Sequence, residues 1–281
     1  MTTRITILCE NTTYIPETKG EHGFSAFIET GGGNYLFDTG QGFSLIDNSL
    51  FLGKDLNNIR KVFLSHGHYD HTGGLLALLK IRKKCEIVAH PDIFLKRFWI
   101  GKKEGEVVKR PIGMRFDRDL LEGFGAKFVL ERQFFEVGER MFLTGEVPRL
   151  TNFEKGDPHL FAYIDDDSEW ISDPILDDQS LVIDTDRGLV IVLGCAHSGI
   201  LNILNHIIEK TAKDRIASLI GGTHLGTCGS EQLENTIRAL KEYDVEKIGL
   251  SHCTGLETSF RFIKEFGDRI FFGNVGSTFE I

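Results

Sequence analysis

His66, His68, Asp70 and His71 fall within six positions of the stretch LSHGHYDHTGGL at residues 64–75. Imidazole nitrogen and carboxylate oxygen are the ligand set of Zn²⁺ and related first-row ions, and a catalytic site keeps one position open for water. Residues two apart in an extended chain point the same way. His66 and His68, leaving the apolar run KVFL, can therefore present their rings to one point. Asp70 and His71 then sit at the turn into the apolar pattern LLALLKI and can face a second point, with Gly73 and Gly74 allowing the helix start to come close. Burying such a cluster without an ion would leave unpaired polar groups costing several kcal/mol, so it reads as half of a metal site that needs completion from elsewhere.

Completion is available where other apolar runs end in histidine. His197 in LGCAHSG and His252 in LSHCTG each follow such a run, and His224 in GGTHLG and His90 in VAHPD are placed similarly. His206 shares the polar face of its helix with Asn202, Asn205 and Glu209 and is expected at the surface, as is His159 after Pro158; His22 simply precedes a strand.

These residues need elements to position them. The first third of the chain alternates short apolar runs with turn signals, RITILC, GFSAFIET, GGGNYLFDTG and KVFLSHG, which is the pattern of strands. The first long helical pattern follows at residues 74–83, where Leu75, Leu76, Leu78, Leu79 and Ile81 make an apolar face. The stretch GLVIVLGCAHSGILNILNHIIEK repeats the succession, and SLIGGTHLGT and KIGLSHCTGL add two more strand and turn units. The rhythm predicts an α/β fold: one domain over residues 1–281 with two related halves, about 1–90 and 175–281, forming a four-layer αβ/βα sandwich with strand ends gathered along one edge. Residues 91–174, with Trp99, the charged loop GKKEGEVVKRPIGMRF and the acidic turn DDDSE, break the rhythm and read as a connection elaborated into a cover over that edge.

Composition narrows the functional classes. With 281 residues and 41% apolar side chains the chain can fill a substantial core, and a formal charge of −9 argues against broad nucleic-acid binding through a basic surface. Five scattered cysteines without C-x-x-C spacing, and a start (MTTRITILCENTT) without the apolar core of a signal peptide, fit a reducing cytoplasm. No apolar segment approaches the roughly 20 residues needed to cross a bilayer.

The motif HGHYDHTGG resembles the H-x-H-x-D-H signature of the metallo-β-lactamase fold superfamily, and YLFDTG resembles the strand and Asp-Thr-Gly turn placed before it. The ordered set HGFSAFIET, VAHPDIF, LTGEVPR, DDQSLVI, LVIVLGCAHSGI, IGGTHLG and LSHCTG is similar to a subgroup of dihydropterin-ribofuranosylaminobenzene phosphate synthase-like proteins. The resemblance implies that His66 and His68 share one metal with a third ligand, for which His197 is chosen, and that Asp70, His71 and His252 hold a second. It also implies that Asp38 holds a ligand imidazole in its tautomer. One departure is that Gly194-Cys195 stands where many members carry a Gly-Asp pair, which leaves Cys195, Asp177 and Asp178 as alternatives for completing the second site.

The activity this implies is hydrolysis by a metal-bound hydroxide, since Zn²⁺ lowers the pKa of water from 15.7 to about 7. One or two zinc ions are expected, with Mn²⁺ or Fe²⁺ as alternatives. Asp70 would position the water, His224 would contact substrate or a developing oxyanion, and His90 and Arg110 would bind substrate. Lys102, Lys103, Lys109, Arg110 and Arg115 make a basic stretch in an acidic chain and suggest a phosphorylated small molecule, hence a phosphodiesterase-like reaction. The alternative is a pterin-linked synthase or transferase as in the subgroup, with Phe94, Phe98 and Trp99 as stacking surfaces, although core packing is the simpler role for them. A diiron redox protein ranks lower because the relevant relatives carry Glu where His68 stands, and the intact cluster argues against a non-catalytic binding module.

Overall fold

A computed structural model describes residues 3–164 and 169–281; most of the acidic turn DDDSE, residues 165–168, lies outside the described residues. Two sheets of seven strands carry the fold. The first runs in the order Thr278–Glu280, Arg4–Cys9, Ser25–Thr30, Gly33–Phe37, Ile59–Phe63, Cys85–Ala89, Ala126–Leu130. The second runs Ile270–Phe272, Val245–Ser251, Ile216–Gly222, Gly188–Leu193, Leu181–Thr185, Met141–Leu143, Phe135–Gly138. The strands that precede the histidines pair in parallel. Strands buried on both faces read as continuous apolar runs rather than alternating ones, which is why GLVIVL and IASLIGG are almost wholly buried.

Ile5, Ile7, Ile28, Phe37 and Phe63 of the first sheet meet Leu181, Ile183, Val190, Val192 and Ile220 of the second in one buried layer. Helix Leu75–Ile81 and its neighbours cover the outer face of the first sheet. Helices Ile200–Thr211, Ser230–Leu240 and Leu256–Phe266 cover that of the second. The result is the four-layer αβ/βα sandwich expected from the sequence, with the carboxyl ends of the parallel strands on a common edge, where ligands of α/β sheets bind.

The sheets do not divide at the boundaries of the two sequence halves. Ala126–Leu130 extends the first sheet, Phe135–Gly138 and Met141–Leu143 extend the second, and Thr278–Glu280 returns to pair with Arg4–Cys9. The charged stretch read as a loop is instead a hairpin, Lys96–Lys103 with Glu106–Pro111, turning through Glu104 and Gly105 at φ 53° and 87°. Positive φ at both central residues is the two-residue turn whose twist suits a hairpin. With Leu160–Ile164 and Glu169–Ser172 it forms a four-stranded sheet. This sheet reaches the histidine turn through Tyr69 N, which donates to Ile112 O at 2.9 Å, and through a bridge between His68 and Gly113. Among the described residues no helix is long and apolar enough to cross a membrane.

Candidate metal centre

The turn after strand Ile59–Phe63 is built around Asp38, which is fully buried and sits at φ 56° just past strand Gly33–Phe37. Its Oδ1 accepts from Ser65 N at 2.7 Å, and its Oδ2 lies 2.7 Å from both Ser65 Oγ and His71 Nδ1. Ser65 Oγ is in turn 2.8 Å from His66 Nδ1. One carboxylate thus orients two histidines and aims His71 Nε2 away from itself. Gly73 and Gly74 allow the close approach expected of them: an added Cβ would fall 2.3 Å from Gln41 O and 2.2 Å from Thr39 O.

Two groups of donor atoms form at the strand ends. In the first, the ligating atoms of His66, His68 and His197 lie within 4.8 Å of one another, with His66 Nε2 and His68 Nδ1 2.9 Å apart. His68 Nε2 and His197 Nε2 are buried with no hydrogen-bond partner. Burial pushes the pKa of all three histidines well down, assisted by their neighbouring imidazoles or, at His68, by Arg97. They are therefore neutral, the form that ligates a metal.

In the second group His71 Nε2 lies 3.3 Å from His252 Nε2, 3.2 Å from Cys195 Sγ and 3.9 Å from Asp70 Oδ2. Asp70 Oδ2 is 3.3 Å from His252 Nε2 and 3.1 Å from His22 Nε2. Ligand atoms about 2.1 Å from a shared tetrahedral centre stand about 3.4 Å apart, so these separations fit an ion. Burial raises the Asp70 carboxyl, but His71, His22 and His252 hold it well below the usual carboxylate range. Burial opposes charge on His71, yet the carboxylates of Asp38 and Asp70 hold its imidazole up at about 9, a proton whose place an ion could take.

Of the three alternatives for completing the second group, Cys195 alone faces it; its Sγ also groups with His66, between the two clusters. Asp177 accepts from Gly67 N and pairs with Arg97, and Asp178 accepts from Ser198 N, so neither carboxylate is turned toward His71. Ala196, His224 and His252 join Asp38 in the left-handed region at φ 57°, 53° and 51°. Such residues cost of order 1–3 kcal/mol each and persist where their surroundings over-determine them. At His252 the backbone N donates to Glu10 Oε1 at 2.7 Å and Nδ1 lies 3.1 Å from Asn11 Oδ1.

Beside these groups opens a cavity of about 830 Å³ whose lining includes His197, His224, Trp99, Phe153, Lys155 and His159. The His224 ring lies 4.2 Å from that of His197, neither of its nitrogens has a hydrogen-bond partner, and Asp157 Oδ2 is 4.0 Å away. Arg110 stands over the Trp99 ring at 5.9 Å and Arg115 over Tyr69 at 4.6 Å. Phe94 packs on Phe128 against the core of the first sheet and Phe98 on Trp170 within the four-stranded sheet, whereas Trp99 reaches the cavity wall.

His90 is fully buried, with Nε2 3.1 Å from Glu146 Oε1 and Nδ1 accepting from Asp92 N. One expectation needs correction. His206 is buried rather than superficial, its Nε2 3.1 Å from Thr144 O. His159 is exposed, as expected. Sequence reasoning missed Ser65, His22, Glu10 and Asn11. Glu10 and Asn11 had one signal, a polar pair closing the apolar strand RITILC; His22 had none, because its link to Asp70 is purely tertiary.

A four-layer sandwich presenting these donors at its strand ends is the metal-dependent hydrolase fold, and residues 18–200 match the family model of the metallo-beta-lactamase superfamily. The chain belongs to that superfamily. It is 33% identical over 254 residues to the 7,8-dihydropterin-6-methyl-4-(beta-D-ribofuranosyl)-aminobenzene-5'-phosphate synthase of Methanocaldococcus jannaschii, covering 88% of this chain and 85% of that one. A crystal structure of a metal-dependent hydrolase of the beta-lactamase superfamily superposes with a TM-score of 0.84 at 31% identity, over 99% of both chains. Zinc-bound PqqB from Methylobacterium extorquens shares the fold alone, with a TM-score of 0.55 at 12% identity over 99% of this chain and 100% of the other.

Proposed function

We propose that this chain is a hydrolase that cleaves a phosphoester of a small molecule, with one or two divalent ions, zinc first among them, held by His66, His68 and His197 and by Asp70, His71 and His252. The observation that carries the reading is the convergence of His66, His68 and His197, whose donor atoms lie within 4.8 Å of one another and of which His197 Nε2 is buried without a hydrogen-bond partner, with His197 and Trp99 on the wall of a cavity and Arg110 over the Trp99 ring. Ions bound there would polarise a phosphoryl oxygen and lower the pKa of a water to about 7. Asp70, whose Oδ2 faces His22 and His252, orients the attacking water and accepts its proton. His224 donates to charge developing on the phosphoryl group, and Arg110 pairs with the ester's anionic oxygens. Asp38 keeps His71 in the tautomer that leaves Nε2 free. The setting we propose is the cytoplasm, where the five free cysteines stay reduced.

The 33% identity to a dihydropterin-linked phosphate synthase favours a second reading, transfer to or from a pterin by the same residues. Trp99 and His159, with ring centroids 5.4 Å apart on the cavity wall, offer a stacking surface for a fused heteroaromatic ring. Incubating the metal-loaded protein with bis-p-nitrophenyl phosphate separates the two. Hydrolysis without any acceptor, abolished by chelator and restored by Zn²⁺ or Mn²⁺, is expected. No cleavage until a pterin substrate is supplied would overturn the hydrolase reading in favour of the synthase.

A further inference from the structure

We infer that the adjacent residues Asp177 and Asp178 are positioning residues that set the spacing of the His66, His68 and His197 group, one carboxylate holding each arm, and that Arg97 ties the cover sheet to that spacing. The inference rests on the reading that these histidines hold an ion. The segment carrying the pair runs along the histidine turn: Gln179 N donates to Ser65 O at 3.0 Å and Gln179 Nε2 to Leu64 O at 2.9 Å. From there Asp177 Oδ2 accepts from Gly67 N at 2.8 Å, the amide between His66 and His68. Asp178 Oδ2 accepts from Ser198 N at 2.8 Å, the amide next to His197. Side chains of consecutive residues diverge, so one dipeptide reaches both arms, which come from different sheets.

Arg97 closes the arrangement from strand Lys96–Lys103. Its guanidinium meets Asp177 through Nη1 at 2.9 Å and Nη2 at 2.7 Å, while Nε donates to Asp173 Oδ2 at 2.7 Å. Gly67 is matched to this contact, since an added Cβ would fall 2.4 Å from both Arg97 Nη1 and Ile93 O. Arg97, Asp177 and Asp178 are 1%, 0% and 1% exposed. Burying ions is often no better for stability than apolar packing of the same volume, but a bidentate pair and charge-assisted bonds to backbone fix direction in a way apolar contacts do not. Support of this kind around a metal site is worth about 10–100-fold in metal affinity.

The test measures Co²⁺ affinity by chelator competition in an Asp70→Asn, His252→Ala background, which removes two donors of the second group and leaves the three histidines intact, alongside the visible Co²⁺ spectrum and the Tm of the metal-free protein. Asp178→Ala should weaken binding about 10–100-fold and shift the spectrum, while Asp178→Asn, which keeps an acceptor for Ser198 N, should recover most of the loss. Arg97→Lys, which loses the bidentate pair but keeps the charge, should weaken binding in the same direction. Asp178→Ala leaves the Arg97 pair intact, so it keeps the test decisive if the Arg97 variant does not fold. Wild-type affinity and spectrum in Asp178→Ala would overturn the inference and leave the metal reading standing. Failure of the parent protein to bind cobalt would remove both.

Discussion

Replacing Asp38 with asparagine keeps the shape of a fully buried side chain and changes only what it can accept. Oδ1 takes the Ser65 N–H at 2.7 Å, and Oδ2 faces Ser65 Oγ and His71 Nδ1, each at 2.7 Å. Either orientation of the new amide sets its NH₂ against a donor, the Ser65 amide or His71 Nδ1. The Ser65 hydroxyl can rotate to accept, because it is both donor and acceptor. With the NH₂ turned to His71, the imidazole, neutral once the carboxylate charge is gone, accepts at Nδ1 and carries its proton on Nε2, the atom that faces His252 and Cys195 at 3.3 and 3.2 Å. That blocks the lone pair the second group needs. Loss of such a support costs about 10–100-fold in metal affinity, or about 1.4–2.7 kcal/mol. A competition titration that resolves two binding steps should show the step at Asp70, His71 and His252 displaced by this amount, and the step at His66, His68 and His197 displaced less, because Asp38 reaches His66 only through the Ser65 hydroxyl. Two ions bound at wild-type affinity would refute the argument that Asp38 sets the His71 tautomer.

Three further outcomes are expected. His224→Ala should keep full metal content and lose about 10²–10³ in turnover, the worth of one donor to a developing oxyanion; loss of metal together with activity would make His224 a ligand. Asp70→Asn should retain close to one ion per chain, yet hydrolyse a phosphodiester at least about 10²-fold more slowly, as for a positioned acid-base group. Glu154 accepts from Leu201 N at 2.9 Å and Asn202 N at 3.0 Å at the start of helix Ile200–Thr211. Removing that cap by Glu154→Ala should cost about 1–2 kcal/mol and lower Tm by roughly 2–8 °C; an unchanged melting curve would contradict it.

Local physics makes part of this molecule legible in its amino-acid order. Strands buried on both faces must be apolar throughout, so KVFL and GLVIVL stand out, and the period of two in an extended chain brings His66 and His68 to one side. The hairpin Lys96–Lys103 with Glu106–Pro111 is hidden for the opposite reason. Its second strand is almost wholly exposed and carries charge where a half-buried strand would alternate. His206 departs from its pattern because the polar face of its helix is itself covered: Asn202 Oδ1 accepts from Leu150 N and Thr151 N, so the loop before it lies on that face. Pairing of Thr278–Glu280 with Arg4–Cys9 and the contact of His22 with Asp70 join residues far apart in sequence and leave no local trace.

Anomalous scattering at the zinc edge from crystals grown with Zn²⁺ tests the central claim most directly. One peak should lie about 2.0–2.2 Å from nitrogens of His66, His68 and His197, and a second should lie among Asp70, His71 and His252. Absence of scattering at both groups, or an ion held by other residues, would contradict the account.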